Sequence, residues 1–207
     1  MHGRFMIHSD ACAEALYRAW ATRSPLSSPF LPDECSEDDA YRIQEALVAR
    51  LPGRVTGFKL GFTSPAMREQ FGVDHPNYGR LFDWMAIEGE RVPLDHFIHP
   101  RVEPEIAVRL SRALAAPCDP ATVQRAVAAV YPALEVVDSR YVDYRFRPLE
   151  NTADNSSAAG YRLGPAYDPS VLSHLPGLTV HLVRNEQPID AGTLATLEQD
   201  PLALVCW

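Results

Sequence analysis

Between Val102 and Val108 the chain reads Val-Glu-Pro-Glu-Ile-Ala-Val, an apolar run interrupted by two acids spaced two apart. In an extended strand, residues two apart share a face, so Glu103 and Glu105 project to one side and Pro104, Ile106 and Val108 to the other. Two neighbouring carboxylates in so apolar a strand repel each other and require a cation, a proton or open water. A third acid, Glu135, is set in the apolar run Ala133-Leu134-Glu135-Val136-Val137. Three carboxylate oxygens suit a hard divalent ion such as Mg²⁺ or Mn²⁺, with water or substrate completing an octahedron. The alternative is that Glu103 and Glu105 mark the wet face of an edge strand, which Pro104 also suits.

Around these strands the pattern alternates between helical and extended periods. Ser9 and Asp10 can cap a first helix carrying Ala13, Leu16 and Trp20. Ser36 starts a second, with Glu37, Asp38 and Asp39 in its first turn, Tyr41, Gln44, Leu47 and Val48 along one face, and Pro52-Gly53 at its end. Val55–Gly61 reads as a strand whose Gly57 and Gly61 let backbone or ligand come close. Ser64-Pro65 opens a short helical turn to Phe71, and a loop with His75-Pro76 and Gly79 follows. Asp119-Pro120 starts a helix expected to carry Val123, Val127 and Val130, and a strand is expected over Ala133–Asp138. Polar loop residues fill Asn151–Ser157, and a late strand, Leu178–Arg184, turns near Asn185. Asp200-Pro201 opens an apolar helix of less than two turns ending at Trp207. A helix so short is unstable alone, which predicts missing C-terminal sequence. The pattern gives a helical part, residues 1–53, and a β-rich metal-binding catalytic part, residues 54–207, in one truncated domain.

Composition narrows the chemistry. With 19 basic and 27 acidic side chains the net charge is −8, and no Lys/Arg run stands out, which argues against nucleic acid as a partner. No run approaches the roughly 20 apolar residues of a membrane span, so no membrane partner is expected. Cys12, Cys35, Cys118 and Cys206 form no CxxC pair and no zinc-like spacing. This predicts a reduced, cytoplasmic setting.

Lys59 is the second chemical candidate. It lies in Gly57-Phe58-Lys59-Leu60-Gly61, where apolar neighbours can desolvate its ammonium and bring it towards acid/base use. The alternative is a strand lysine reaching out to solvent. No GxSxG elbow, Walker loop, HExxH or GxGxxG is present. His96 and His99 lack a third partner and read as surface or loop residues.

Five ordered runs, GFKLGFT (Gly57–Thr63), YGRL (Tyr78–Leu81), PRVEPEIAV (Pro100–Val108), PALEVVDSR (Pro132–Arg140) and ADNSS (Ala153–Ser157), resemble the fumarylacetoacetate hydrolase superfamily in its vinylpyruvate hydratase and 4-oxalocrotonate decarboxylase branch. The resemblance implies an α+β fold, mostly β, with a twisted barrel-like sheet and flanking N-terminal helices. It implies Glu103, Glu105 and Glu135 as metal ligands for Mg²⁺ or Mn²⁺, Lys59 and Ser157 as catalytic, and Leu81, Arg140 and Ser157 as substrate contacts. It further implies a small 2-oxo acid substrate and a homo-oligomer, able to associate with a related hydratase or decarboxylase. Hydratases of this branch look for an acid in a Pro-Asp-Phe-Gly pattern, whereas here Pro76-Asn77-Tyr78-Gly79 stands. The run from Asp138-Ser139-Arg140-Tyr141 to Phe146 is more like the decarboxylase pattern, which favours decarboxylation of 2-oxohex-3-enedioate, with hydration of 2-hydroxypenta-2,4-dienoate or an inactive truncated protein as alternatives.

Overall fold

The computed structural model describes residues 8–193 and 200–207, with the backbone alone at 176. The first seven residues of the expected helical part, and 194–199 of the β-rich part, lie outside the described residues. Helix and strand are mixed along the chain. Two helices, α1 (Ser9–Thr22) and α2 (Glu37–Val48), precede the antiparallel pair β1 (Val55–Gly61) and β2 (Asn77–Phe82), with α3 (Pro65–Phe71) between the two strands. Then come β3 (Arg101–Leu110), α4 (Pro120–Gln124), β4 (Val127–Val137), α5 (Pro148–Ala153) and β5 (Ala158–Leu163). Strands β3, β4 and β5 form a three-stranded sheet in that order. A hairpin of β6 (Thr179–Arg184) and β7 (Gln187–Thr193) and the short α6 (Pro201–Cys206) complete the described chain.

The chain divides into two compact units. One holds the residues up to Gly61 with Asn77–Val102 and Glu135–Tyr161, the other Phe62–Pro76, Glu103–Leu134 and the residues from Arg162 onward.

In the first unit α1 and α2 bury Ala13, Leu16, Ala40, Ile43 and Leu47 in one cluster with Leu31, Tyr141 and Ala153. These positions recur at the helical spacing that the sequence carries. Helix α1 begins at Ser9 itself, so Ser9 and Asp10 sit in its first turn instead of capping it. Ser36 caps α2 in a capping box with Asp39. Gln44, on the apolar face of α2, is fully buried. Its Nε2 donates to the carbonyls of Tyr78 and Thr152, both at 2.8 Å, and its Oε1 accepts from Arg80 at 2.8 Å. One side chain thus ties α2 to both β2 and α5.

In the second unit Val123, Val127, Val130 and Leu202 form a cluster against which Ile106 and Val108 pack. The expected face of β3 is therefore the one turned to the core. The helix expected through Val130 ends at Gln124, and Val127 and Val130 belong to β4. Two expected loops are also ordered elements. His75–Gly79 runs into β2, and Asn151–Ser157 is buried in α5 and a tight 3₁₀ turn. The β6–β7 hairpin turns at Asn185 and Glu186, with φ of 51° and 63°, the left-handed pair that matches strand twist.

A buried acid fixes the loop between the first two helices. Glu150 accepts from Ser28 Oγ at 2.5 Å, from the amides of Phe30 at 2.5 Å, Leu31 at 3.0 Å and Arg147 at 2.9 Å, and from the Arg147 guanidinium at 3.1 Å. Burial raises its pKa, but the hydrogen bonds from the Arg147 amide, Ser28, Phe30 and Leu31 outweigh it and hold the carboxyl below its ordinary value. A carboxylate depressed in the folded state adds stability above its unfolded pKa and loses it as pH falls through the folded one. Glu150→Gln is expected to cost about 3 kcal/mol at neutral pH, and to flatten the loss of stability below about pH 5. Urea unfolding across pH 3–7 measures both, and parallel curves for the two proteins would overturn the assignment.

Candidate active site

Lys59 sits in the middle of β1, and its cross-strand partner on β2 is Gly79. Alternation puts Gly57 and Gly61 on the same face as Lys59, so that face is cleared of side chains on both sides of the lysine. The cleared space is filled by the backbone of Asn155 and the side chains of Asn77 and Ser156. A Cβ added at Gly79 would lie 2.2 Å from the Asn155 carbonyl oxygen, and one at Gly61 would lie 2.3 Å from Asn77 Oδ1 and 2.7 Å from Ser156 Oγ. Gly61 meets the expectation of close approach. Gly57 does not, because its nearest neighbour, Leu81 Cδ1, is at 3.9 Å.

The segment pressed against this face is Asn155-Ser156-Ser157, with φ of 54°, 51° and 56°. Three consecutive non-glycine residues in the left-handed region cost roughly 1–2 kcal/mol each, so the surroundings must hold them there. Asn155 accepts from the Arg80 amide at 2.7 Å and donates to its carbonyl at 2.9 Å. The Ser157 carbonyl accepts from the Asp138 amide at 2.8 Å, and the Ser157 amide donates to the Asp154 carbonyl at 3.1 Å.

Arg140 braces the same turn from behind. Only 4% exposed, it pairs with the fully buried Asp154 and donates to the carbonyls of Asp138, Ala158 and Asp154. Burial pushes Asp154 up to about 6, with Arg140 opposing. Arg140, expected as a substrate contact, makes all of these bonds within the fold.

The lysine, nearly buried, looks onto three acceptors. Lys59 Nζ is 3.1 Å from the Ser156 carbonyl oxygen, 3.3 Å from Ser156 Oγ and 3.4 Å from Glu135 Oε2. The lysine side chain is 10% and that of Glu135 6% exposed, so Lys59 does not reach out to solvent. Glu135 lies on β4 and is buried, while Glu103 and Glu105 lie on β3 and are exposed. Glu103 and Glu105 each offer a carboxylate oxygen within 4.8 Å of the other. At that separation two full charges repel by about 1 kcal/mol in water and about 3–4 kcal/mol at an effective dielectric of 20. Lys59 can offset the charge of Glu135, and a divalent cation can offset a pair of carboxylates. An all-oxygen set of this kind fits Mg²⁺ or Mn²⁺ by its chemistry.

Ser157 is buried, and its Oγ accepts from Asn151 Nδ2 at 3.0 Å. Leu81 is half-buried on β2 and packs against the cluster of Phe82, Met85 and Ala158. His99 Nε2 meets the Ser139 carbonyl at 2.9 Å and its ring packs on Tyr144, in keeping with a loop role. Ser156, Asn77 and Asn151 were not picked out by the sequence reading, although it is Ser156 that touches Lys59. The local sign of Ser156 is a dense run of small polar residues in ADNSS, which equally suits a surface loop, and Asn77 entered only as the departure from Pro-Asp-Phe-Gly.

Fold and sequence lead to one class of enzymes, the lyases. No family model matches the chain. It is 35% identical to a 4-oxalocrotonate decarboxylase of a Pseudomonas species, over 82% of this chain and 67% of that one. It is 36% identical to a 2-keto-4-pentenoate hydratase of Paraburkholderia xenovorans strain LB400, over 96% and 76%. The solved 4-oxalocrotonate decarboxylase from Pseudomonas putida G7, complexed with magnesium and adipate, superposes with a TM-score of 0.87 at 29% identity, covering 99% of this chain and 82% of its own. The protein belongs to this family of decarboxylases and hydratases, a lyase branch of the fumarylacetoacetate hydrolase superfamily.

The glycine argument is testable without substrate. Gly79→Ala is expected to destabilise by about 1–3 kcal/mol, because the methyl meets a backbone carbonyl that cannot swing aside, whereas Gly57→Ala finds open contact and costs less than about 1 kcal/mol. Denaturant titration compares them, and equal losses would refute the close-packing account.

Proposed function

We propose that the protein is a divalent-metal-dependent lyase on small 2-oxo acids, decarboxylating 2-oxohex-3-enedioate to 2-hydroxypenta-2,4-dienoate. The observations that carry this reading are the nearly buried Lys59 against Glu135 and the adjacent carboxylates of Glu103 and Glu105 on β3. These three acids would hold Mg²⁺ or Mn²⁺. When bound, the ion supplies Lewis acidity towards the carboxylate and keto oxygen of a 2-oxo acid.

The remaining work falls to the chain's own groups. Breaking the bond to the distal carboxylate releases CO₂ and leaves its electron pair on the five-carbon fragment, which takes up one proton to become the dienol. Lys59 Nζ holds a proton beside Ser156 and Glu135 and would deliver it to the fragment's oxygen. Ser157 would hold a substrate oxygen and Leu81 would supply an apolar wall. Arg140 then acts as a positioning residue that keeps the left-handed turn under Lys59. The run from Asp138 to Phe146 and the likeness to the Pseudomonas decarboxylases favour this branch.

Hydration of 2-hydroxypenta-2,4-dienoate is the second reading, supported by 36% identity to a hydratase over 96% of the chain. Both readings include a cytoplasmic setting, with residues 1–53 as a helical part and 54–207 as the catalytic part. They also include a barrel-like sheet and a homo-oligomer that can associate with a related hydratase or decarboxylase. Among the described residues no helix is long and apolar enough to cross a membrane.

Calorimetric titration with Mg²⁺ or Mn²⁺ is expected to show one site that Glu103→Gln and Glu135→Gln each weaken at least tenfold. Product analysis then decides the branch. CO₂ release from 2-oxohex-3-enedioate supports decarboxylation, and turnover of 2-hydroxypenta-2,4-dienoate alone would replace it with hydration.

A further inference from the structure

Ser156 and Ser157 carry adjacent buried hydroxyls, and the hydrogen bonds around them have a direction. Asn77 Nδ2 has two hydrogens and two acceptors, Asn151 Oδ1 and Thr152 Oγ1, each at 3.0 Å. Its Oδ1 is thereby turned to Ser156 Oγ, 3.1 Å away, and accepts the Ser156 proton. Ser156 Oγ then meets Lys59 Nζ with lone pairs only. A second branch runs through Asn151. Because its Oδ1 accepts from Asn77, its Nδ2 faces Ser157 Oγ at 3.0 Å and donates to it. Ser157 therefore keeps its own proton, and among the described residues no acceptor takes it. Reversing both amides would leave one N–H of the buried Asn77 without an acceptor, a cost that folded proteins avoid.

We propose that Asn77 is a specificity-determining residue. Through Asn151 it sets the Ser157 hydroxyl as a donor, so the site selects a ligand oxygen that carries only lone pairs, a carboxylate or a carbonyl. The proposal rests on the reading that Ser157 faces the substrate. An aspartate at position 77 has no N–H to give. Asn151 would turn its amide towards that aspartate, and its Oδ1 would face Ser157, which would spend its proton there. Asn151→Asp reaches the same state by another route, accepting from Asn77 with one oxygen and from Ser157 with the other.

The test is a double-mutant cycle, read by calorimetric titration of adipate, a six-carbon dicarboxylate, into the Mg²⁺-loaded chain. Wild type, Asn77→Asp, Ser157→Ala and the double variant are compared. The added charge of the aspartate acts alike in both backgrounds and cancels in the cycle. Asn77→Asp is expected to weaken adipate about tenfold more when Ser157 is present than when it is replaced by Ala. If Asn77→Asp does not fold, the same cycle with Asn151→Asp carries the same expectation. An equal cost in both backgrounds would overturn the role of Asn77 and leave the functional reading intact. Failure of the folded wild type to bind Mg²⁺ and adipate would instead overturn the functional reading, and this proposal with it.

Discussion

Burying a polar segment is the constraint that organises the first unit. From Glu150 to Ser157 every residue but Ala153 is polar, and all are buried. Each such group costs stability unless it finds a partner, and the surrounding fold is arranged to give partners. Ser28 and the Phe30 and Leu31 amides serve Glu150, Arg140 serves Asp154, and both backbone groups of Arg80 serve Asn155. Gln44 reaches from α2 to the Thr152 carbonyl. The same demand explains the glycines, since the segment can meet its partners only if Gly61 and Gly79 let it lie against β1 and β2.

That arrangement has an electrostatic consequence. The turn delivers a carbonyl and a hydroxyl to Lys59, so the ammonium can stay buried with acceptors around it, one of them the Glu135 carboxylate. A buried lysine and a buried glutamate are each costly alone, and together they offset much of that cost. Glu103 and Glu105 lie close to each other on β3, where negative charge dominates. The local imbalance, more than the chain's overall net charge, is what a divalent ion would answer.

Much of this was legible in the sequence where the signal was local. The helical spacing of Ala13 and Leu16 gave α1, Ser36 with three acids behind it gave α2, and the alternation in Val102–Val108 gave β3 and its carboxylate face. What failed was specified from far away in the chain. Strand β2 carries Asn77 and Gly79, residues that locally favour turns, and becomes a strand through pairing with β1. Val123, Val127 and Val130 fit a helical period, but these β-branched residues also fit a strand, and the helix stops at Gln124. The buried pair of Arg140 and Asp154 could not be foreseen either, because Asp154 lies in what read as a loop.

The neighbour of Lys59 was hidden for the same reason. Glu103, Glu105, Glu135 and Lys59 announce themselves because charged residues in apolar strands violate the local pattern, and such violations mark functional or strained sites. Ser156, Asn77 and Asn151 violate nothing locally. Their roles arise from bonds between segments 74 to 97 residues apart, and an amide or hydroxyl acquires a direction only once all its neighbours are in place. Sequence patterns therefore locate the charges of such a site more readily than the neutral groups that orient them. Yet those neutral groups decide whether a hydroxyl gives or receives a proton, and so which ligand oxygen the site can hold.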